Sequence, residues 1–147
     1  MVKIMGVSLI ALCLAVNSLS GQGYRVNVEL ESKNNIYETI LKEGLQEELE
    51  KIEKTLNYSS QIKILELKYE GNVLTIDLSK DLILYGGGNT AEQYVCYLLL
   101  TWGFENTKAE FVSLLVEGEM NTFPEGGDYV LYMRGDYERH IKPILLE

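Results

Sequence analysis

The sequence has few of the residues on which most catalytic and metal sites depend. It contains a single histidine, His140, and two cysteines, Cys13 and Cys96. A nucleophilic cysteine needs a partner base and an electropositive surrounding, whereas Cys96 lies in an apolar run and His140 lies among charges near the C-terminus. We therefore predict no catalytic residue, no resident metal and no cofactor, and we do not expect an enzyme.

Basic residues are also scarce. The chain has 13 Lys plus Arg against 22 Asp plus Glu, which gives a net charge of −9. Such a surface repels the phosphates of nucleic acids and of anionic lipid headgroups. No nucleic-acid partner is expected, and contact with a membrane is expected only through the N-terminus.

The N-terminal 20 residues have the pattern of an export segment. Lys3 provides a positive charge, residues 4–16 are apolar, and small residues precede Gly21. The apolar stretch is shorter than the roughly 20 residues of a spanning helix. We predict a signal peptide or N-terminal membrane anchor over residues 1–20, and a protein secreted or held at the outer face of the cytoplasmic membrane. Lipid attachment at Cys13 is a less favoured alternative, because Leu12 stands where a lipobox has a small residue.

Residues 24–56 are predicted to form a strand followed by a helix. Val26, Val28 and Leu30 alternate with polar residues, which is typical of a strand with one buried face. Asn34 or Asn35 is expected to cap the helix that follows. Its apolar stripe consists of Ile36, Ile40, Leu45, Leu49, Ile52 and Leu56. Gly44 in this stretch allows close packing or a kink, and Asn57 is expected to end the helix.

The rest of the chain alternates strands with one further helix. Residues 62–69 and 73–78 are predicted to form a hairpin around Gly71, and residues 111–116 a further strand. The second helix is expected to begin at a capping box, Thr90 with Gln93, and to end at Gly103. Turns are expected at residues 117–119 and 124–128, followed by an edge strand over residues 129–133. The tail beyond it has no clear pattern.

This order of elements predicts the fold class. It is β-α-β-β-α-β-β, which favours an α+β two-layer sandwich: a mixed or antiparallel sheet of four to five strands with two helices on one face. The folded domain is expected to span residues 24–135, with a C-terminal tail over residues 136–147.

Residues 73–118 resemble the GerMN domain of sporulation and spore germination proteins. The resemblance rests on a strand end Ile76-Asp77-Leu78-Ser79, a glycine-rich loop, a helix, and a strand that closes on Val116-Glu117-Gly118. It implies a fold similar to ring-building modules and an extracytoplasmic protein of Gram-positive, spore-forming or related bacteria. It further implies a non-enzymatic binding or assembly module of the cell envelope, whose partner is another envelope protein.

The strand end offers an alternative function. Asp77 and Asp81 alternate along an extended segment, and Glu92 follows near the start of the next helix. These carboxylates are weak candidates for a calcium site, which needs six to eight oxygen ligands. The alternative is therefore a ligand- or calcium-binding sensor that uses this strand end and the glycine loop. That loop lacks the Lys-Ser/Thr pair of a nucleotide-binding P-loop.

Aromatic residues near the C-terminus are candidates for partner binding. The chain has ten tyrosines, and Tyr129, Tyr132 and Tyr137 follow Phe123 closely. Tyrosine is enriched at protein interfaces, because it combines a large apolar area with a polar tip. Ordinary half-buried strand tyrosines are the alternative interpretation. The leading hypothesis is that the last strand and these aromatic side chains contact the partner.

Overall fold

The computed structural model describes residues 22–85, 88–120, 123–124 and 126–145, and the predicted export segment and Cys13 lie outside them. The chain divides into two units at the Ile40–Leu41 junction. The sheet, the core and all surfaces described below belong to the second unit. The first helix, α1, runs over Gln22–Leu56 and crosses that junction.

The predicted first strand is wrong, because residues 24–31 are part of α1. The period of two in Val26, Val28 and Leu30 also fits a helix, since Val26 and Leu30 are four residues apart. A lone strand leaves its backbone N–H and C=O groups unpaired, whereas a helix pairs them internally. Asn34 and Asn35 consequently do not cap a helix start, and the carbonyl of Asn35 accepts a hydrogen bond from Thr39 Oγ1 at 2.9 Å.

The second half of α1 packs as an amphipathic helix. Its buried stripe is Leu41, Leu45, Leu49 and Ile52, so Leu41 takes the place that the sequence assigned to Ile40, which is 41% exposed. A Cβ on Gly44 would lie 3.5 Å from Trp102, which shows how closely the helix passes that ring. Asn57 ends the helix as predicted, with a positive φ of 52°.

The sheet contains four strands in the order β1-β2-β3-β4. The predicted hairpin is confirmed: β1 (Ile64–Glu70) and β2 (Val73–Leu78) pair antiparallel around Gly71, whose φ is +60°. The predicted strand β3 (Phe111–Val116) is also confirmed, and it pairs parallel with β2. Parallel neighbours need a crossover connection, which a 3₁₀ helix (Lys80–Tyr85) and the second helix supply.

The second helix, α2, spans Gly88–Asn106 and covers one face of the sheet. Neither of its predicted ends is correct. Thr90 lies inside the first turn, and the Gln93 side chain donates to Tyr97 Oη at 2.8 Å instead of accepting a hydrogen bond from a first-turn amide. Gly103 is not the cap but lies within the helix, where a Cβ would approach Leu74 and Val112 at 3.2 Å. The glycine permits the helix to lie directly on β2 and β3.

The chain ends in a very short strand and a third helix. The predicted strand over residues 129–133 is reduced to β4 (Tyr132–Met133), which pairs antiparallel with β3. Residues 134–145 then form helix α3, with one π-helical turn over Tyr137–Ile141. Tyr137 and Ile141 of this helix are buried, although the sequence assigned them to a tail. The described architecture is α+β, with a mixed four-stranded sheet and three helices in the order α-β-β-α-β-β-α.

Candidate functional site

Two buried aromatic rings anchor the segment that leads into β4. Phe123 and Tyr129 are buried and pack edge-to-face, with ring centroids 5.0 Å apart. A Cβ on Gly127 would lie 2.8 Å from Tyr129 Oη, so only glycine fits beside this ring. The carbonyl of Tyr129 accepts the amide of Leu114, in β3, at 2.9 Å. These contacts fix the backbone of the segment against the sheet.

Leu131 follows in an unusual conformation. Its φ is +49°, a region that a leucine rarely adopts, and its side chain is 53% exposed. The amide of Leu131 donates to Ser113 Oγ at 2.8 Å, and Ser113 is itself only 5% exposed. The buried hydroxyl of β3 therefore holds the strained backbone in place.

Met133 is a second exposed apolar residue, two positions after Leu131 in the chain. It is 50% exposed and lies opposite the half-buried Phe111 in the β3–β4 pair, so these two side chains share the outer face of the sheet. We call Leu131 and Met133 the β4 surface. Exposed apolar side chains that lie together mark candidate interaction sites more often than scattered ones do.

Arg134 ties the end of β4 to the end of α2. Its Nε donates to the carbonyl of Ala109 at 2.8 Å, and its Nη2 donates to the carbonyls of Thr107 and Phe104 at 2.9 and 3.1 Å. The guanidinium also lies 5.1 Å from the centre of the Phe104 ring. A cation at a helix C-terminus neutralises the carbonyl dipoles there. Arg134 thus fixes the end of β4, next to the β4 surface, against the end of α2.

The structure places the four predicted partner-binding residues mostly inside the protein. Phe123, Tyr129 and Tyr137 are at most 8% exposed, and Tyr132 is half-buried. Tyr137 stacks on Phe104 with centroids 4.9 Å apart, and its hydroxyl donates to Glu105 Oε1 at 2.7 Å. Of the four, only Tyr132 offers substantial surface to a partner. Leu131 and Met133, the residues before and after it in the chain, are exposed. The sequence did not single them out, and only the structure shows the positive φ of Leu131.

Cys96 lies on the buried side of α2, close to Tyr129. It is 1% exposed, and burial together with the nearby Glu92 carboxylate raises the pKa of its thiol far above the ordinary value. Burial likewise raises the pKa of Tyr129. Because the thiolate is the reactive form, a thiol held protonated in the core is inert. Cys96 acts here as an apolar side chain.

The two aspartates proposed for calcium accept hydrogen bonds near the end of β2, as does Glu117 at the end of β3. Asp77 Oδ1 accepts the amide of Gly118 at 2.9 Å, and Glu117 Oε1 accepts the amide of Lys80 at 2.9 Å. Asp81 Oδ2 accepts the hydroxyl of Ser79 at 2.8 Å, a bond that lowers the pKa of this carboxyl. Asp77 and Gly118 therefore meet directly and join the ends of β2 and β3.

Glu92, the third candidate, contributes to the raised pKa values of Cys96 and Tyr129 through its negative charge. Over the described ranges, no three His, Cys, Asp or Glu side chains group closely enough to hold a metal ion. The calcium hypothesis stays a prediction.

A shallow groove lies between the end of α1 and the exposed side of α2. Its volume is about 170 Å³, below the roughly 300–1,000 Å³ of typical small-molecule pockets. Ile52, Leu56, Tyr94 and Leu98 line it together with Glu48, Lys51 and Thr55. Its size and open shape favour a surface depression over a cofactor site.

No family model, no curated protein and no solved structure matches this chain. In the part of the chain that the structure describes, no helix combines the length and the apolar character needed to cross a membrane.

Proposed function

We propose that this chain is a non-enzymatic binding module of the GerMN type, exported to the outer side of the membrane, and that its β4 surface contacts another envelope protein. The sequence resemblance over residues 73–118 supports the class of module. The observation that carries the choice of surface is Leu131, an exposed leucine held at a positive φ.

A leucine at position 131 is unfavourable for folding alone. A non-glycine residue with φ near +50° costs on the order of 1–2 kcal/mol relative to an ordinary conformation. Asparagine and glycine tolerate this region better. A half-exposed leucine also recovers only part of its hydrophobic free energy in the free protein. Both terms favour another residue at position 131 for folding alone, so the leucine is best explained by contact with a partner that buries it.

The experiment replaces the side chain and keeps the backbone. Leu131→Asn suits the positive φ and removes the apolar surface, and Met133→Lys removes the second contact. We expect the free energy of unfolding of Leu131→Asn to equal that of the wild type or to exceed it by up to about 1 kcal/mol, because the backbone strain at position 131 is relieved. Partner binding should fall about tenfold or more, since a buried leucine contributes roughly 1.5–3 kcal/mol.

Site-specific photo-crosslinking in cells provides the readout, with the reactive residue at position 131 or 133. Ile144 is the matched control, because it is 62% exposed but lies in α3 without a positive φ. A crosslinked product is expected from 131 and 133, absent from 144, and competed away by untagged wild type but not by the Leu131→Asn protein. Equal products from all three positions, or full competition by the Leu131→Asn protein, would show that the surface is misassigned.

A further inference from the structure

Strand β1 is the open edge of the sheet. Within the described residues it has a single neighbouring strand, β2, and it runs over seven residues, Ile64–Glu70. At the opposite edge, β4 has only two residues and continues into α3. The outer side of an edge strand carries N–H and C=O groups that can pair with a strand of another chain. The β1 edge is long enough for such pairing.

The charges along β1 alternate in sign on one face. Glu66, Lys68 and Glu70 have side chains that are 52%, 54% and 76% exposed, and Lys68 Nζ lies 3.9 Å from a carboxylate oxygen of each glutamate. On the other face Leu67 is buried. Leu65, which is 47% exposed, is the extra residue at the point where the β1–β2 register shifts. The edge therefore combines an uncovered leucine with an ordered row of charges.

These charges distinguish between the registers in which two β1 strands can pair antiparallel about a two-fold axis. An axis at Leu67 places Glu66 opposite Lys68 of the second copy, and Lys68 opposite its Glu66. An axis at Lys68 instead places two lysines opposite each other and Glu66 opposite Glu70, while an axis at Glu66 places two glutamates together. Unlike charges directly opposite each other stabilise strand pairs and like charges destabilise them. The Leu67 register is therefore favoured over these two. An axis at Tyr69 also places Lys68 opposite Glu70, but the two strands then overlap over residues 68–70 alone, whereas in the Leu67 register they overlap over all seven residues.

We infer that two copies of this chain associate through β1, antiparallel and centred on Leu67, so that their sheets become continuous. In this register the exposed Leu65 lies opposite Tyr69 of the second copy. Charged residues on an edge strand usually prevent pairing. Here their order disfavours the registers centred on Glu66 and Lys68, and the length of the strand favours Leu67 over Tyr69. Strand β1 and the β4 surface lie at opposite edges of the sheet, so the inference is independent of the proposed partner contact.

Charge reversal tests the inference. The full chain is kept in one mild detergent, and its self-association constant is measured by sedimentation equilibrium. Lys68→Glu and Glu66→Lys each turn two attractive cross-strand pairs into repulsive ones, so each should weaken self-association about tenfold or more. An equimolar mixture of the two variants should associate at least as well as the wild type, because Glu then faces Lys at all four positions. Lys42→Glu and Glu47→Lys, which change exposed charges on α1, are controls of equal net charge and should leave association unchanged.

Cysteine pairing tests the register without relying on charge. In a Cys13→Ser background, Glu66→Cys and Lys68→Cys proteins should form a disulfide-linked dimer when mixed and oxidised, and little when each is oxidised alone. Buried Cys96 is retained. A wild type that stays monomeric at several hundred micromolar would overturn the inference. So would charge-reversed variants that behave like their controls, or cysteine variants that link to themselves as fast as to each other.

Discussion

Two helical glycines, Gly44 in α1 and Gly103 in α2, should respond to alanine with opposite signs. Glycine in a helix interior is about 1 kcal/mol less favourable than alanine, so propensity alone predicts that both substitutions stabilise. At Gly44 the added Cβ meets only Trp102, at 3.5 Å, which is an ordinary van der Waals distance. We expect Gly44→Ala to raise the free energy of unfolding by about 1 kcal/mol.

At Gly103 the packing term outweighs the propensity. The Cβ would lie 3.2 Å from a Leu74 methyl and 3.2 and 3.3 Å from the two methyls of Val112. Leu74 and Val112 are completely buried, and a β-branched valine that touches with both methyls has no free rotamer to turn into. Overpacking of this kind costs about 1–3 kcal/mol. After the propensity gain, we expect Gly103→Ala to destabilise by about 1 kcal/mol.

Urea unfolding followed by circular dichroism measures both effects, with fluorescence of the single tryptophan, Trp102, as a second probe. A double-mutant cycle gives the sharper test. Val112→Ala removes the methyls that obstruct position 103, so Gly103→Ala should cost about 1 kcal/mol less in that background than in the wild type. If Gly103→Ala stabilises as much as Gly44→Ala, or if the cycle shows no coupling, α2 does not lie on β2 and β3 as described.

Two further predictions concern titratable side chains in the core. In a Cys13→Ser background, the Cys96 thiol should resist a thiol reagent such as DTNB in the native state at pH 8 and react fully in denaturant, because burial raises its pKa and excludes the reagent. Rapid native labelling of that protein would contradict the placement of Cys96. For Tyr137, burial and then the hydrogen bond to Glu105 raise the pKa to about 12, so the folded state holds the phenolic proton more tightly than the unfolded state does. Its contribution to the free energy of unfolding should be complete below about pH 10 and decline as the pH rises towards 12. Tyr137→Phe should lower the free energy of unfolding by about 1 kcal/mol at pH 7. Between pH 10 and 12 the variant should lose less of its remaining stability than the wild type does. Parallel stability curves for the two proteins across that range would refute the assignment.

The sequence predicted the elements whose pattern is local. The alternation in residues 73–78 and 111–116 and the turn at Gly71 predicted β2, β3 and the hairpin, because strand period and turn chemistry involve only near neighbours. The apolar stripe around Leu45 and Leu49 predicted the second half of α1 for the same reason. The turn at Glu117-Gly118 was predicted as well, and both residues have a positive φ.

Predictions that depended on distant partners were wrong or incomplete. Residues 24–31 carry a pattern that fits a strand and a helix, and the choice depends on whether a neighbouring strand exists to pair with them. Gly103 has the composition of a helix cap, but the closeness of Leu74 and Val112 makes it a packing residue instead. The tyrosines near the C-terminus have the composition of an interface, yet two of them are buried. Tyr129 packs against Phe123, and Tyr137 contacts Phe104 and Glu105.

The candidate site was likewise predicted in part from the sequence and in part visible only in the structure. By itself, the sequence determined that the last strand region is aromatic and apolar, and that acidic residues dominate the surface. Only the tertiary structure decided which of those side chains face solvent, because exposure depends on what packs against each one from elsewhere in the chain. Leu131 shows this most directly: its positive φ is held by the hydroxyl of Ser113, eighteen residues away, and no local pattern contains that contact.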